Sequence, residues 1–257
     1  MKKSKPIIQK IGSAAVKTGV IVGNTIIENY QKIDPDVIRH LLQVPLLSYS
    51  LFVSRHEKID PGKPDGHPPL IFVHGLGGNR GNFLLMSWYF RLFGRKRSYK
   101  IHFDAGQSMQ DMTAALAHFI QEVRKVTGQK QVEIVAHSLG GLVARMAIKK
   151  YRLSHHVKTL ITLGSPHHGT YSARYANTAI TRDIRPNSKL IKELEKQPWP
   201  KSVRGVTFWS RSDILIIPPE SAAMDGTTQV EVTPFTHYSY LIDPKSWAAV
   251  KHALENG

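Results

Sequence analysis

Ser138 follows an apolar run and precedes two glycines, in Val132-Glu133-Ile134-Val135-Ala136-His137-Ser138-Leu139-Gly140-Gly141. The spacing small-x-Ser-x-Gly marks a strand that turns tightly into a helix, with the serine hydroxyl exposed at the bend. Such a turn admits only small side chains two residues to either side, which Ala136 and Gly140 satisfy. Ala136 departs from the commoner glycine by one methyl group. Alone, the pattern also fits an ordinary strand-to-helix turn. Its place between an apolar run and a helix points to a nucleophile, because the backbone N–H of Leu139 at the helix start faces any oxyanion formed at Ser138. Upstream, Leu70-Ile71-Phe72-Val73-His74-Gly75-Leu76-Gly77-Gly78 ends a second run in a glycine-rich turn. It lacks both the Lys-Ser/Thr pair and the G-x-G-x-x-G spacing of phosphate-binding loops. It fits better as the second half of an oxyanion hole, with the N–H of Leu76 as donor.

These residues need a scaffold that holds turns at strand ends. Apolar runs at 70–73, 99–103, 132–135, 157–163, 203–209 and 229–232 each read as a buried strand, bounded by Gly, Pro, Asp or Ser. Segments 82–93, 109–127 and 140–151 between the first four read as helices. This alternation predicts right-handed crossovers and a mostly parallel sheet of about six strands with helices on both faces. Ligands of such sheets bind at the carboxyl ends of the strands, so functional residues are expected just after them. Residues 171–200 break the rhythm, with Tyr171, Tyr175, Ile180, Leu190 and Leu194 among polar groups, and are expected to form a small helical cap. There is no internal repeat and no Gly/Ser linker, which predicts one domain over 46–257 after an extension over 1–45.

With the segments Gly164-Ser165-Pro166-His167-His168-Gly169-Thr170 and Asp183-Ile184-Arg185-Pro186-Asn187-Ser188, and the surroundings of Asp213 and His237, the sequence resembles the α/β-hydrolase superfamily, in particular bacterial lipases and lipase-like esterases. The resemblance spans about residues 68 to 255. It implies the order serine, acid, histidine. Downstream of Ser138 the bases on offer are His155, His156, His167, His168, His237 and His252, and the acids are Asp183, Asp213, Glu220, Asp225 and Asp243. The family keeps its histidine after the last strand and before a carboxyl-terminal helix, the place of His237. Its acid stands in a strand-end loop before a short apolar run and proline, the place of Asp213. The resemblance therefore implies a serine ester hydrolase acting on lipid-like acyl esters, with Ser138 as nucleophile, His237 as base, Asp213 as its orienting acid, and no cofactor. A membrane-associated relative that is non-catalytic or transfers acyl groups is the alternative. Asp225 reads as a turn residue, Asp243 as a helix start. The adjacent side chains of His167 and His168 diverge and lack a third ligand, so no metal is expected there.

The chain has 257 residues and no cysteine, which removes thiolate nucleophiles, disulfides and cysteine metal sites. Its length needs no covalent staple, and a charged fraction of 21% is that of a globular protein. The formal charge of +16 is concentrated toward the front, where residues 1–100 hold 16 basic and 6 acidic groups. Residues 1–32 begin like a signal peptide, but Lys10 and Lys17 interrupt the apolar stretch, and the uncharged run 18–27 is too short to span a bilayer. The spacing of Ile7, Ile8, Ile11, Ala14 and Ala15 suits an amphipathic helix on an anionic membrane surface, against the plainer reading of a solvated arm. A cytoplasmic or peripheral-membrane location is expected over secretion. Five basic residues within 91–100 could track phosphates, yet charge runs are usually solvated faces. No nucleic-acid motif accompanies them, so no nucleic-acid partner is expected.

Overall fold

The computed structural model describes residues 35–43 and 58–256; the amino-terminal stretch 1–32 lies outside them. Six strands form one parallel sheet: β1 (Leu70–Val73), β2 (Ser98–Lys100), β3 (Val132–His137), β4 (Val157–Leu163), β5 (Arg204–Trp209) and β6 (Thr228–Glu231). Their order is β2-β1-β3-β4-β5-β6. All neighbours run parallel, with Val73 paired to Ala136 and His137 to Leu163, so the ends of β1, β3 and β4 lie side by side. The helices are α1 (Pro35–Gln43), α2 (Leu84–Leu92), α3 (Met109–Thr127), α4 (Leu139–Lys150), α5 (Ala179–Asp183), α6 (Lys189–Glu195), α7 (Ser239–Ile242) and α8 (Pro244–Glu255). Among the described residues, no helix is long and apolar enough to cross a membrane.

The side chains of one strand alternate between two cores. Ile71, Val73, Ile134 and Leu160 pack with Met112, Leu116 and Ile120 of α3 and Leu142 and Val143 of α4. Leu70, Phe72, Val135, Ile161 and Phe208 face the other way, toward Met86 and Phe90 of α2 and Val250 and Leu254 of α8. Each side removes apolar surface from water at roughly 25 cal/mol per Å². Helix α3 has the expected bounds because Ser108 and Asp111 form a reciprocal cap at its start and Gly128, at φ 67°, ends it. Asp243 caps α8 by accepting from the Lys245 N–H, with Pro244 in the first turn.

The boundaries depart from expectation in three places. Strand β2 stops at Lys100 rather than Phe103, because the Phe103 N–H donates to His74 Nε2 (3.1 Å) and leaves the ladder. The helix expected over 82–93 begins as a 3₁₀ turn, Arg80–Phe83, capped by the Asn79 and Asn82 side chains. The run at 229–232 is not a buried strand: β6 is an edge strand whose Thr228, Gln229 and Glu231 are exposed. A sheet ending there must stop on polar side chains.

Two of the five basic residues in the run at 91–100 are taken up by the fold, while Arg91 and Lys96 are exposed. Arg95 pairs with Glu133 at 2.6 Å, both buried, and Arg97 lies 3.5 Å from Asp65, also buried. Removing one partner from such a pair costs about 3–5 kcal/mol.

Candidate active site

Ser138 stands between β3 and α4 with φ 54° and ψ −127°, a conformation that side-chain-bearing residues rarely adopt. Its N–H donates to the Leu163 carbonyl (3.0 Å), and its own carbonyl accepts from the Gly141 N–H (3.0 Å). Strain at this residue is sustained by close packing. A Cβ on Gly140 would lie 2.6 Å from the Val73 carbonyl oxygen, and one on Gly75 2.8 Å from the Ser138 Cβ. The elbow thus presses on the end of β1 with no room for a side chain between them. Ala136, fully buried, fits with its methyl group.

The two candidate oxyanion donors come from the loop after β1 and from α4. Leu139 is the first residue of α4, where N–H groups have no partner within the helix. Leu76 follows Gly75 in a turn closed by the Gly78 N–H and the Gly75 carbonyl (3.2 Å), and among the described residues its N–H makes no backbone hydrogen bond. Its side chain is 52% exposed. His74 fixes this loop: its Nδ1–H donates to the Gly75 carbonyl (2.9 Å), while Nε2 accepts from Phe103. Burial lowers the His74 pKa to about 4, so the ring is neutral near pH 7.

The structure brings Asp213 and His237 together at the ends of β5 and β6. Both carboxylate oxygens of Asp213 face His237 Nδ1, at 3.1 and 2.9 Å, and both residues are buried. Asp213 Oδ1 also accepts the N–H groups of Leu215 (3.0 Å) and Ile216 (3.2 Å), which hold the carboxylate in place. A proton on Nδ1 leaves Nε2 as the lone-pair nitrogen. No other acid that the sequence offered is paired with His237.

Several residues around His237 carry no motif. His137 Nε2–H donates to the His237 carbonyl (2.9 Å), and the two rings lie 4.6 Å apart. Burial holds the His137 pKa well below the ordinary value, with His237 adding to the shift. From α1, within the stretch read as an extension, Arg39 donates to the Pro234 carbonyl (2.9 Å) and Gln43 to the Ser239 hydroxyl (2.9 Å). His40 stacks on Tyr238 with centroids 4.8 Å apart. Sequence signals for these were absent except at His137, which sits inside the serine motif.

His167 and His168 point apart. His167 is buried with Nε2 3.0 Å from the Thr162 hydroxyl, whereas His168 Nδ1 lies 2.9 Å from Glu195. Among the described residues no group of three His, Asp or Glu side chains could hold a metal ion. Residues 171–200 form a 3₁₀ turn, Tyr171–Arg174, and helices α5 and α6. Two cations of α4 fasten them: Arg145 donates to the Leu194 carbonyl (2.8 Å), and Lys149 donates to that of Gln197. Both meet the carboxyl end of α6, the negative pole of its dipole.

Residues 69–212, more than half of the chain, match the palmitoyl protein thioesterase family. Among solved structures, the mature form of the Bacillus licheniformis lipase BlEst2 is similar with a TM-score of 0.62 and 21% identity, covering 75% of this chain and 96% of that one. Aspergillus fumigatus lipase B gives 0.65 at 19% identity over 77% and 54%. An α/β-hydrolase from the metagenome of Mar Chica lagoon sediments, Morocco, gives 0.52 at 20% over 75% and 96%. The chain matches about half the length of BlEst2 in its propeptide form, 52%. The sheet order and these likenesses give the α/β-hydrolase fold.

Proposed function

Because this chain belongs to the palmitoyl protein thioesterase family, we propose that it is a serine acyl hydrolase, cleaving lipid-like acyl esters or thioesters through an acyl-enzyme intermediate. The observation that carries the reading is the buried Asp213–His237 pair at the same end of the sheet as the strained Ser138.

In this mechanism His237 Nε2 takes the Ser138 hydroxyl proton as Oγ bonds to the acyl carbon. Asp213 keeps the other nitrogen protonated and offsets the imidazolium charge. The N–H groups of Leu76 and Leu139 hold the oxyanion; losing one such donor costs about 100- to 1000-fold in turnover. The tetrahedral species collapses as the carbon–oxygen or carbon–sulfur bond breaks, and His237 returns its proton to the leaving alcohol or thiol. A water activated by His237 then releases the acid and restores Ser138. Residues 171–200 form the rim of the acyl-binding side in this reading.

A fluorophosphonate probe tests the assignment. Wild type is expected to be labelled and Ser138→Ala not; absent labelling of folded wild type, or labelling that survives the substitution, overturns it. Paired oxygen and thiol esters of one acyl chain, run through a length series, separate an esterase from a thioesterase. The basic front of the chain supports adsorption to an anionic bilayer as a further part of the proposal, read by co-sedimentation with vesicles at low and high salt.

A further inference from the structure

Helix α1 lies outside the family-matched residues 69–212, yet its side chains converge on the turn that carries His237. Gln43 uses both ends of its amide: Nε2 donates to Ser239 Oγ at 2.9 Å, and Oε1 accepts from the Thr236 hydroxyl. Thr236 and Ser239 also meet each other, the Thr236 N–H donating to Ser239 Oγ (3.0 Å), and both are buried. One amide thus ties together the residues immediately before and two after His237. Arg39 holds the Pro234 carbonyl further back, at 2.9 Å. His40 covers the next side chain along, lying nearly parallel to the Tyr238 ring at 28°.

We propose that α1 is a positioning element of the acyl-transfer site, with Gln43 and His40 fixing the turn 234–239 so that His237 stays paired with Asp213 at the strand ends where Ser138 also lies. The inference rests on the reading of Ser138, Asp213 and His237 as the reacting groups. Gln43 and His40 act not on a reacting atom but through the Thr236 and Ser239 hydroxyls and the Tyr238 ring, side chains of the histidine's own turn. The turn is short and largely irregular, so its ladder-free backbone depends on side-chain partners for its place. A misplacement of about 1 Å at a catalytic group costs up to about 100-fold. Burial, and then the charge of His237, lower the His40 pKa from its ordinary value, with Asp213 acting in the opposite direction.

The test uses the full chain with Gln43→Leu, His40→Ala and His40→Phe. Gln43→Leu and His40→Ala are expected to lower kcat and the rate of fluorophosphonate labelling by about 10- to 100-fold, with KM within about twofold. His40→Phe, which keeps the stack, is expected to restore most of the rate. A parallel NMR measurement follows the His237 Nδ1 proton shared with Asp213, whose exchange with water quickens when the turn loosens. Wild-type kcat and an unchanged proton signal in folded Gln43→Leu and His40→Ala overturn the proposal. If Gln43→Leu does not fold, Gln43→Glu, which keeps the acceptor for Thr236 and gives up the donor to Ser239, is read in the same two assays. Failure of the serine-hydrolase reading is distinguishable, since it shows as missing labelling in the wild type itself, and the proton signal still decides the clamp.

Discussion

Ser138 occupies a turn whose geometry is written into five consecutive residues, Ala136 to Gly140, while His237 occupies a turn held by residues far away in the chain. Asp213 is 24 positions from His237, His137 is 100, and Gln43 is 196 from the Ser239 it grips. The Ser138 side is built from a strand, a strained residue and a helix in immediate succession, so its shape follows from local sequence. The His237 side is a loop placed by neighbours that topology alone brings together. Rigidity at one half of the site is a property of a motif, and at the other a property of the whole fold.

The sharpest way to break this contrast is at Asp213. Asp213→Asn is expected to lower kcat by about 1000- to 10,000-fold, since an amide no longer enforces the Nδ1–H tautomer or offsets the imidazolium charge. Steady-state kinetics check it, with circular dichroism reporting that the fold persists. A milder test removes the long-range hydrogen bond from β3. His137→Phe keeps a ring against His237 and loses the donor to its carbonyl, and kcat is expected to fall about 10-fold with little change in KM. An equal fall in labelling rate would place the effect on acylation.

The smallest expected effect concerns stability. His74 titrates at about 4 in the folded chain and near 6.5 when unfolded, so the unfolded state binds the extra proton between those values. Stability is complete above pH 6.5 and declines as the pH falls through this window, by roughly 3 kcal/mol once pH 4 is passed. Burial lowers His137 and His167 in the same direction, which steepens the decline. Urea unfolding midpoints at pH 7, 5.5 and 4.5 measure it, and His74→Asn is expected to flatten the slope.

The contrast also explains what the sequence disclosed. The six strands, the order of elements and the elbow were legible because β1 is a continuous apolar run, β3 and β4 are apolar runs with few polar interruptions, and glycines follow all three. Asp213 and His237 were singled out only through likeness to a known family, since nothing in their spacing separates them from Asp225 or His252; the structure pairs them. The edge position of β6 was hidden because Val230 and Val232 alternate with polar residues as a half-buried strand would. The roles of Arg39, His40 and Gln43 were hidden for a deeper reason: a short amphipathic helix far from any motif gives no sign of which loop it will meet. The basic run at 91–100 read as a surface property, yet Arg95 and Arg97 turn inward to Glu133 and Asp65, and spacing cannot reveal a partner 38 residues away in one case.

The separation of about 196 residues between Gln43 and Ser239 also sets an order of events during synthesis. Chains emerge amino terminus first, and contacts between distant segments form late because a long loop must close before they gain anything. Helix α1 leaves the ribosome long before the turn it grips, and waits without that partner while the strands between them assemble. The Ser138 elbow is complete once β1, β3, β4 and α4 have emerged; the histidine turn is complete only when α1 and residues 234–239 meet. A nascent chain therefore forms the Ser138 elbow before the turn that carries His237 has its full set of supports.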